Sequence, residues 1–236
     1  MKTNLETLKK RGFITNIETE SFFSHSKEEL LNILNDKQAA NRTAALYVLK
    51  KISSINELDE ILLEMLAKEK ALYTKLEICN ILTTGNELTI KRMIPYVGKI
   101  GNNQYHDIPP KVSMKKSYPL PRDIIARTMA KMNPQYFESI LENLYCKDES
   151  VVAEIIDAVG WQVFYHQELA VEKYYQVIID LLKKYQDNEF MLWKLIIALS
   201  SFDQAEELLK NWECNNSIMK KEIQRSIDLI IKRKKD

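Results

Sequence analysis

Glycine and proline are scarce in this sequence: five Gly and six Pro make up about 5% of the 236 residues, against roughly 12% in an average protein. Because tight turns between strands depend on these residues, the scarcity argues against a turn-rich β-sandwich, barrel or propeller, and against a glycine-loop nucleotide-binding sheet. An excess of either charge is also missing, since the formal net charge is +1. We therefore expect a mostly helical chain with no global attraction to nucleic acid or to an anionic membrane.

Motifs for metal, disulfide and common catalytic sites are missing as well. The three cysteines, Cys79, Cys146 and Cys214, lie far apart and form no CxxC pair or Cys/His cluster. No HExxH, GxSxG, GxxxxGK[ST] or GxGxxG pattern occurs. The longest apolar run, residues 190–199, contains Lys194 and is half the roughly 20 residues that a membrane span needs. We predict a cytoplasmic protein that is not an enzyme, with no catalytic residues, no metal and no cofactor; its Lys-, Ile- and Asn-rich composition is typical of AT-rich bacterial genomes.

Apolar residues recur at helical spacing in pairs of segments joined by tight turns. In each second segment an apolar residue is followed by another four positions later, which places both on one face of a helix. These pairs are Ala45/Leu49, Ile78/Leu82, Ile125/Met129, Ile155/Val159, Leu195/Leu199 and Ile223/Ile227. A two-helix unit of this size must stack on its neighbours to bury its apolar face. The predicted hairpins are 27–55, 56–86, 87–132, 133–166, 167–202 and 203–236, in a single domain that begins with an N-terminal cap at 1–26.

Two of these second segments resemble the second helix of HEAT repeats. Residues 36–52 (DKQAANRTAALYVLKKI) and 147–160 (KDESVVAEIIDAVG) have an Asp in the turn, followed by small and apolar residues at helical spacing. Residues 121–132 are similar more loosely, and the other repeats match in periodicity alone. The resemblance implies an all-α fold, an α-solenoid of about six HEAT-like hairpins whose second helices line the concave face. Armadillo and tetratricopeptide repeats fit less well, because three-helix units and the Trp/Gly/Tyr pattern are missing.

A long loop interrupts the third repeat at residues 101–120 (GNNQYHDIPPKVSMKKSYPL). Four of the six prolines, at 109, 110, 119 and 121, exclude a helix there, so helical spacing is expected to stop near residue 100 and to resume at 121. Long loops inside packed arrays are often functional. A tolerated surface insertion is the open alternative, since each doubling of loop length costs only about 0.6 kcal/mol.

Charge is distributed unevenly along the chain. Residues 91–131 contain nine basic and two acidic side chains, whereas residues 132–219 contain six basic and fifteen acidic ones. Opposed patches suit a protein partner of complementary charge, or self-association head to tail. The candidate contact residues of the basic centre and loop are Tyr105, His106, Lys111, Lys115, Lys116, Arg122 and Arg127. Those of the concave face are Arg42, Glu154, Asp157, Trp161 and Arg225.

Each of these candidates has a structural alternative. Arg122 and Arg127 could pair with Glu154 and Asp157 on the adjacent second helix. Trp161 and the aromatic residues that follow it could form an apolar plug between repeats instead of an interface hot spot.

Three functions are open, the first from the repeat, the missing catalytic motifs, the low Gly content and the opposed charge patches, and the other two from the resemblance. The first is a protein-binding scaffold or adaptor that takes a protein or peptide along the concave face and the loop. The second is a DNA-binding protein or DNA glycosylase similar to the HEAT-like alkylpurine glycosylases, with Asp157 and Trp161 beside the basic loop. We do not expect nucleic acid as the partner, because the 27 Lys and 7 Arg offer few groups for bidentate base readout. The third, a bilin lyase subunit, has no recognisable chromophore pocket or acceptor motif in the sequence.

Overall fold

The computed structural model describes residues 4–235, and all regular secondary structure within them is helical. The all-α prediction is therefore confirmed. The chain divides into two compact units, the first ending at Tyr96 and the second beginning at Val97. Residues 1–3 of the predicted cap and residue 236 of the predicted last repeat lie outside the described residues. In the described part, no helix is both long and apolar enough to cross a membrane.

The first unit contains seven α-helices in its described residues. They are α1 (Leu5–Lys10), α2 (Asn16–Glu20), α3 (Lys27–Ile33), α4 (Ala39–Ile52), α5 (Ile55–Lys68), α6 (Leu72–Leu82) and α7 (Glu87–Met93), with 3-10 turns at Ser21–Ser24 and Ile94–Tyr96. Three of them begin with capping boxes, in which a Ser or Thr and a Glu three residues later satisfy the first free backbone N–H groups. These pairs are Thr15/Glu18, Ser26/Glu29 and Ser54/Glu57.

Helix α4 is the centre of the first unit. It contacts α1, α2, α3 and α6, and α5 contacts α6 and α7. The chain before α2 approaches α4 and α6 closely at Gly12, which has φ 86°. A Cβ atom there would lie 2.4 Å from Oγ1 of Thr74 and 2.9 Å from Oγ1 of Thr43. The N-terminal segment therefore packs directly on α4 and α6, where Phe13 lies edge-on against Tyr73 at 5.4 Å.

Seven further α-helices lie in the second unit, counted over residues 97–235. They are α8 (Ile124–Ala130), α9 (Phe137–Leu141), α10 (Glu149–Tyr165), α11 (Glu172–Lys184), α12 (Glu189–Leu199), α13 (Ala205–Lys210) and α14 (Ser217–Arg233). Shorter 3-10 turns lie at Pro134–Tyr136, Glu142–Tyr145 and Gln167–Leu169. Side chains of Asp123, Asp148, Asn188 and Asn216 cap the starts of α8, α10, α12 and α14, as the sequence signals for helix starts indicate.

The helices of the second unit pack in two sets. Helices α8, α10, α12 and α14 contact one another in that order, while α9, α11 and α13 each contact the helix that follows in the chain. Helix α12 is buried over most of its circumference, because Lys194 and every residue from Leu195 to Leu199 are at most 4% exposed. Helices α10, α11 and α14 contact α12, and Tyr105 of the segment before α8 lies edge-on against its Trp193.

The irregular segment before α8 is longer than the loop predicted from the sequence. No helix occurs between Tyr96 and Ile124, so the irregular stretch covers residues 97–123 and includes the predicted loop. The helix expected up to residue 100 stops earlier, and a turn at Gly98 (φ 73°) follows. The helix expected from residue 121 begins at Ile124, because the Asp123 carboxylate accepts hydrogen bonds from the N–H groups of Ile125 and Ala126.

Candidate ligand pocket and basic loop

Tyr118 fixes the end of the irregular segment on the second unit. The residue is 3% exposed, and its ring contacts Phe164 of α10 with centroids 5.6 Å apart. Its hydroxyl fills the space above Gly160, where a Cβ atom would lie 2.0 Å from Oη. Glycine inside a helix costs about 0.5–1 kcal/mol relative to alanine. The room that Tyr118 needs explains why glycine stands in the middle of α10.

The side chain of Arg225 on α14 binds backbone carbonyls of the same segment. Its Nη2 donates to the carbonyl of Ser117 at 2.8 Å and its Nε to that of Lys115 at 3.3 Å, while Nη1 donates to Oε1 of Glu222 at 2.5 Å. A single guanidinium thus joins two loop carbonyls to a buried carboxylate. The planar guanidinium of arginine donates several hydrogen bonds in fixed directions, and the ammonium group of lysine does not.

The beginning of the segment is fixed by Asp123 and Arg122. Oδ2 of Asp123 accepts from the backbone N–H of Gly98 at 3.1 Å and from Nε2 of Gln104 at 2.8 Å. Arg122 donates from Nε to the carbonyl of Asn103 at 2.5 Å and from Nη1 to the Tyr105 hydroxyl at 2.9 Å, with its guanidinium 4.3 Å from the centre of the Tyr105 ring. The segment is anchored at both ends by side-chain hydrogen bonds rather than by helical backbone bonds.

Between the segment and helices α10, α12 and α14 lies a cavity of about 290 Å³. Five of the predicted contact residues line it: Tyr105, Lys111, Lys115, Arg122 and Asp157. The helices add Trp193, Ile197 and Glu222, and the segment adds Tyr118 and several apolar residues, Pro109, Val112, Pro119 and Leu120 among them. Loop and helices together form one pocket.

A buried ion cluster lies at the α10 side of this pocket. Nζ of Lys194, 1% exposed, donates to Oε1 of Glu154 at 3.0 Å and to Oδ2 of Asp157 at 2.9 Å. Burial raises the pKa of Glu154 to about 7. The attraction of Lys194 opposes this shift, and the nearby Asp157 charge adds to it. Burial also raises the pKa of Asp157, and the charge and hydrogen bond of Lys194 oppose this shift. Two carboxylates share one cation, so the cluster carries one uncompensated negative charge when both are ionised.

A third carboxylate, Glu222 of α14, also lines the pocket. It is 1% exposed, and burial raises its pKa although Arg225 opposes the shift. Among the described residues, Oδ1 of Asp157 and Oε2 of Glu222 accept no hydrogen bond. Two buried groups in the pocket wall also have no hydrogen-bond partner, the Tyr118 hydroxyl and Nε1 of Trp193.

Three of the predicted concave-face residues form contacts within the chain. Glu154 is 3% exposed and is not available to a partner, because Lys194 holds its carboxylate inside the unit. Arg225 binds the loop, as described above. Arg42 forms a bidentate ion pair with the buried Glu69, at 2.9 and 2.7 Å, which in turn accepts from the backbone N–H groups of Lys70 and Ala71.

Lys194 donates to both Glu154 and Asp157, the carboxylates considered as alternative partners of Arg122 and Arg127. Nε of Arg127 donates to the carbonyl of Pro121 at 2.7 Å. The sequence does not identify Lys194 as the cation that binds these carboxylates. It lies 37 residues from Asp157 and 40 from Glu154, inside an apolar run.

Trp161 lies half-buried in an aromatic cluster at the end of α10. Its ring is 4.5 Å from that of Tyr165, and Phe164 joins both Tyr165 and Tyr118. These contacts are within the second unit and connect the cluster to the anchored segment, in keeping with the alternative that it serves as an apolar plug.

The outer surface of the loop is basic. His106, Lys111, Lys115 and Lys116 are exposed, and Met114 between them is 96% exposed. Over residues 4–235, none of the three lysines forms an ion pair. The described residues also contain no group of three or more His, Cys, Asp or Glu side chains that could hold a metal ion.

No family model and no curated protein matches the chain. Two solved structures, both of engineered proteins from the Northeast Structural Genomics Consortium, are similar to it. The first is 14% identical with a TM-score of 0.39, covering 88% of this chain and 97% of the engineered one. The second is 16% identical with a TM-score of 0.39, covering 87% of this chain and 98% of the engineered one.

Proposed function

We propose that this chain is a HEAT-like α-solenoid of about six helical hairpins that acts as a non-enzymatic protein-binding scaffold. Within the second unit, support comes from the two sets of helices, since each of α9, α11 and α13 packs on its successor and the successors pack in a row. This is the arrangement that stacked hairpins require to bury their apolar faces.

The single observation that carries the binding proposal is the composition of the loop surface. Lys111, Lys115 and Lys116 lie within three residues of the 96% exposed Met114 in the sequence, on a segment whose ends are fixed by Arg122, Tyr118 and Arg225. A fixed loop loses less conformational freedom on binding than a slack one. Unpaired lysines around one apolar side chain suit an acidic protein segment that also offers an apolar contact.

Affinity capture with charge-reversed variants tests this proposal. The loop variant carries Lys115→Glu and Lys116→Glu, and the matched control carries Lys220→Glu and Lys221→Glu, two neighbouring exposed lysines of α14. Both variants change the net charge equally and in the same unit. The captured proteins are quantified from extract of the native cell at low and high salt.

The proposal predicts that a specific protein binds the native chain and the α14 variant but not the loop variant. Its binding should weaken as salt rises, because exposed charges are screened beyond about 10 Å at 0.1 M ionic strength. Equal capture by both variants would remove the loop from the proposal.

One observation favours a DNA-binding function as the second candidate. The Asp157 carboxylate lines the same pocket as the Trp193 and Tyr105 rings, beneath a loop with Lys111 and Lys115. A gel-shift titration of a labelled duplex at several salt concentrations tests it. Binding that weakens steeply with salt would support the candidate, and no binding near about 50 mM salt would reject it.

A further inference from the structure

We propose that the cavity under the loop binds a small organic cation, a primary amine on a flat aromatic body. Lys111 and Lys115 line this cavity and also belong to the outer loop surface, whereas Met114 and Lys116 do not line it. The cavity lies wholly within the second unit, between the anchored segment and helices α10, α12 and α14.

The two carboxylates that line the cavity are only partly paired. Asp157 shares Lys194 with Glu154, and Glu222 pairs with Arg225. Each of these cations binds one oxygen of its lining carboxylate, and the other oxygens, Oδ1 of Asp157 and Oε2 of Glu222, accept no hydrogen bond among the described residues. A ligand ammonium with its three donors would supply hydrogen bonds to both oxygens and a charge opposite to theirs.

The basic residues at the cavity do not cancel this preference. Lys111 and Lys115 are exposed, so their ammonium groups are hydrated. Arg122 keeps its charge, but it is also exposed, and it donates to the carbonyl of Asn103 and the hydroxyl of Tyr105. Exposed charges are screened strongly by water, whereas Asp157 and Glu222 are largely shielded from it, so an ammonium beside them would be attracted strongly and would favour their ionised forms.

The walls of the cavity favour a flat aromatic body. Trp193 is 6% exposed and lies edge-on to Tyr105 with ring centroids 5.6 Å apart, and Tyr118 forms a third aromatic wall. Ring faces attract a nearby ammonium, most strongly when it is desolvated. Pro119 and Ile197 add apolar surface. The volume of about 290 Å³ is at the lower end for small-molecule pockets, which limits the ligand to a compact molecule.

Isothermal titration of the purified chain with tyramine tests the proposal. Tyrosol, which has a hydroxyl in place of the amine, is the matched neutral ligand. The proposal predicts saturable binding of tyramine and affinity for tyrosol that is at least tenfold weaker. Equal affinity for the two molecules, or no tyramine binding at millimolar concentration, would overturn it without reference to any variant.

Substitution then locates the site. Asp157→Asn and Glu222→Gln should each lower tyramine affinity about tenfold, because each removes one charge that faces the ammonium. Asp180→Asn, the same chemical change at an exposed carboxylate of α11, should leave the affinity unchanged. Circular dichroism confirms that each variant is folded. If folded Asp157→Asn and Glu222→Gln variants bind tyramine as the native chain does, the cavity is not the site.

Discussion

Ionisation of Glu154 is expected to destabilise the folded chain, and Glu154→Gln tests this directly. The carboxyl is buried and shares its only cation, Lys194, with Asp157. Its pKa is raised from 4.5 to about 7 in the folded state, chiefly by burial. The folded state therefore holds the proton more tightly than the unfolded state, and the stability that the protonated group contributes is lost as the pH rises from about 4.5 through about 7.

The size of this effect follows from the shift. Each pKa unit corresponds to about 1.4 kcal/mol, so ionisation of Glu154 removes up to about 3 kcal/mol of unfolding free energy. Glutamine keeps the oxygen that accepts from Lys194 and carries no charge. We therefore expect Glu154→Gln to be more stable than the native chain at a pH of about 8, and to lose less stability between pH of about 5 and about 8.

Urea unfolding followed by circular dichroism at the two pH values measures the difference. The control is Glu138→Gln, which removes an exposed carboxyl whose pKa is lowered by its hydrogen bond from Lys173 and which is ionised at both pH values. The control should keep the pH dependence of the native chain. Parallel losses of stability in the native chain and in Glu154→Gln would refute the account of the cluster.

Two further substitutions test the packing around the pocket. Gly160→Ala gains about 0.5–1 kcal/mol of helix propensity, but the new methyl group overlaps Tyr118. We therefore expect the unfolding free energy measured in urea to fall by about 1–2 kcal/mol, and to fall less when Tyr118→Leu is added. A Gly160→Ala variant more stable than the native chain would contradict the close contact. Lys194→Met leaves Glu154 and Asp157 facing each other without a cation and should lower the unfolding free energy by about 3–5 kcal/mol at neutral pH. Thermal unfolding at a pH of about 5 should show a smaller loss, and an equal loss at both pH values would contradict the charge argument.

The helices could be predicted from the sequence because their signals are local. Apolar spacing locates α10 and α14, and residues such as Asp148 and Asn216 mark their starts. The prolines likewise exclude a helix near residues 109–121, where the structure has none.

The site could be predicted only in part, because it depends on contacts between distant segments. Lys194 looks like an interruption of an apolar run, and only the fold brings it to Glu154 and Asp157. Arg225 looks like a surface residue until the loop carbonyls 108 and 110 residues away are placed beside it. Trp193 and Glu222 have no motif, so their place in the pocket follows from packing alone.

Replacement of the loop tip tests the binding role of the loop most directly. In this variant, residues 106–117 become a Gly-Ser linker of the same length, while Tyr118, Arg122 and the helices are kept. Circular dichroism should show unchanged helicity, and affinity capture should show the loss of the partner that the native chain binds. Undiminished capture by a correctly folded variant would contradict the claim that this anchored basic loop is the binding element.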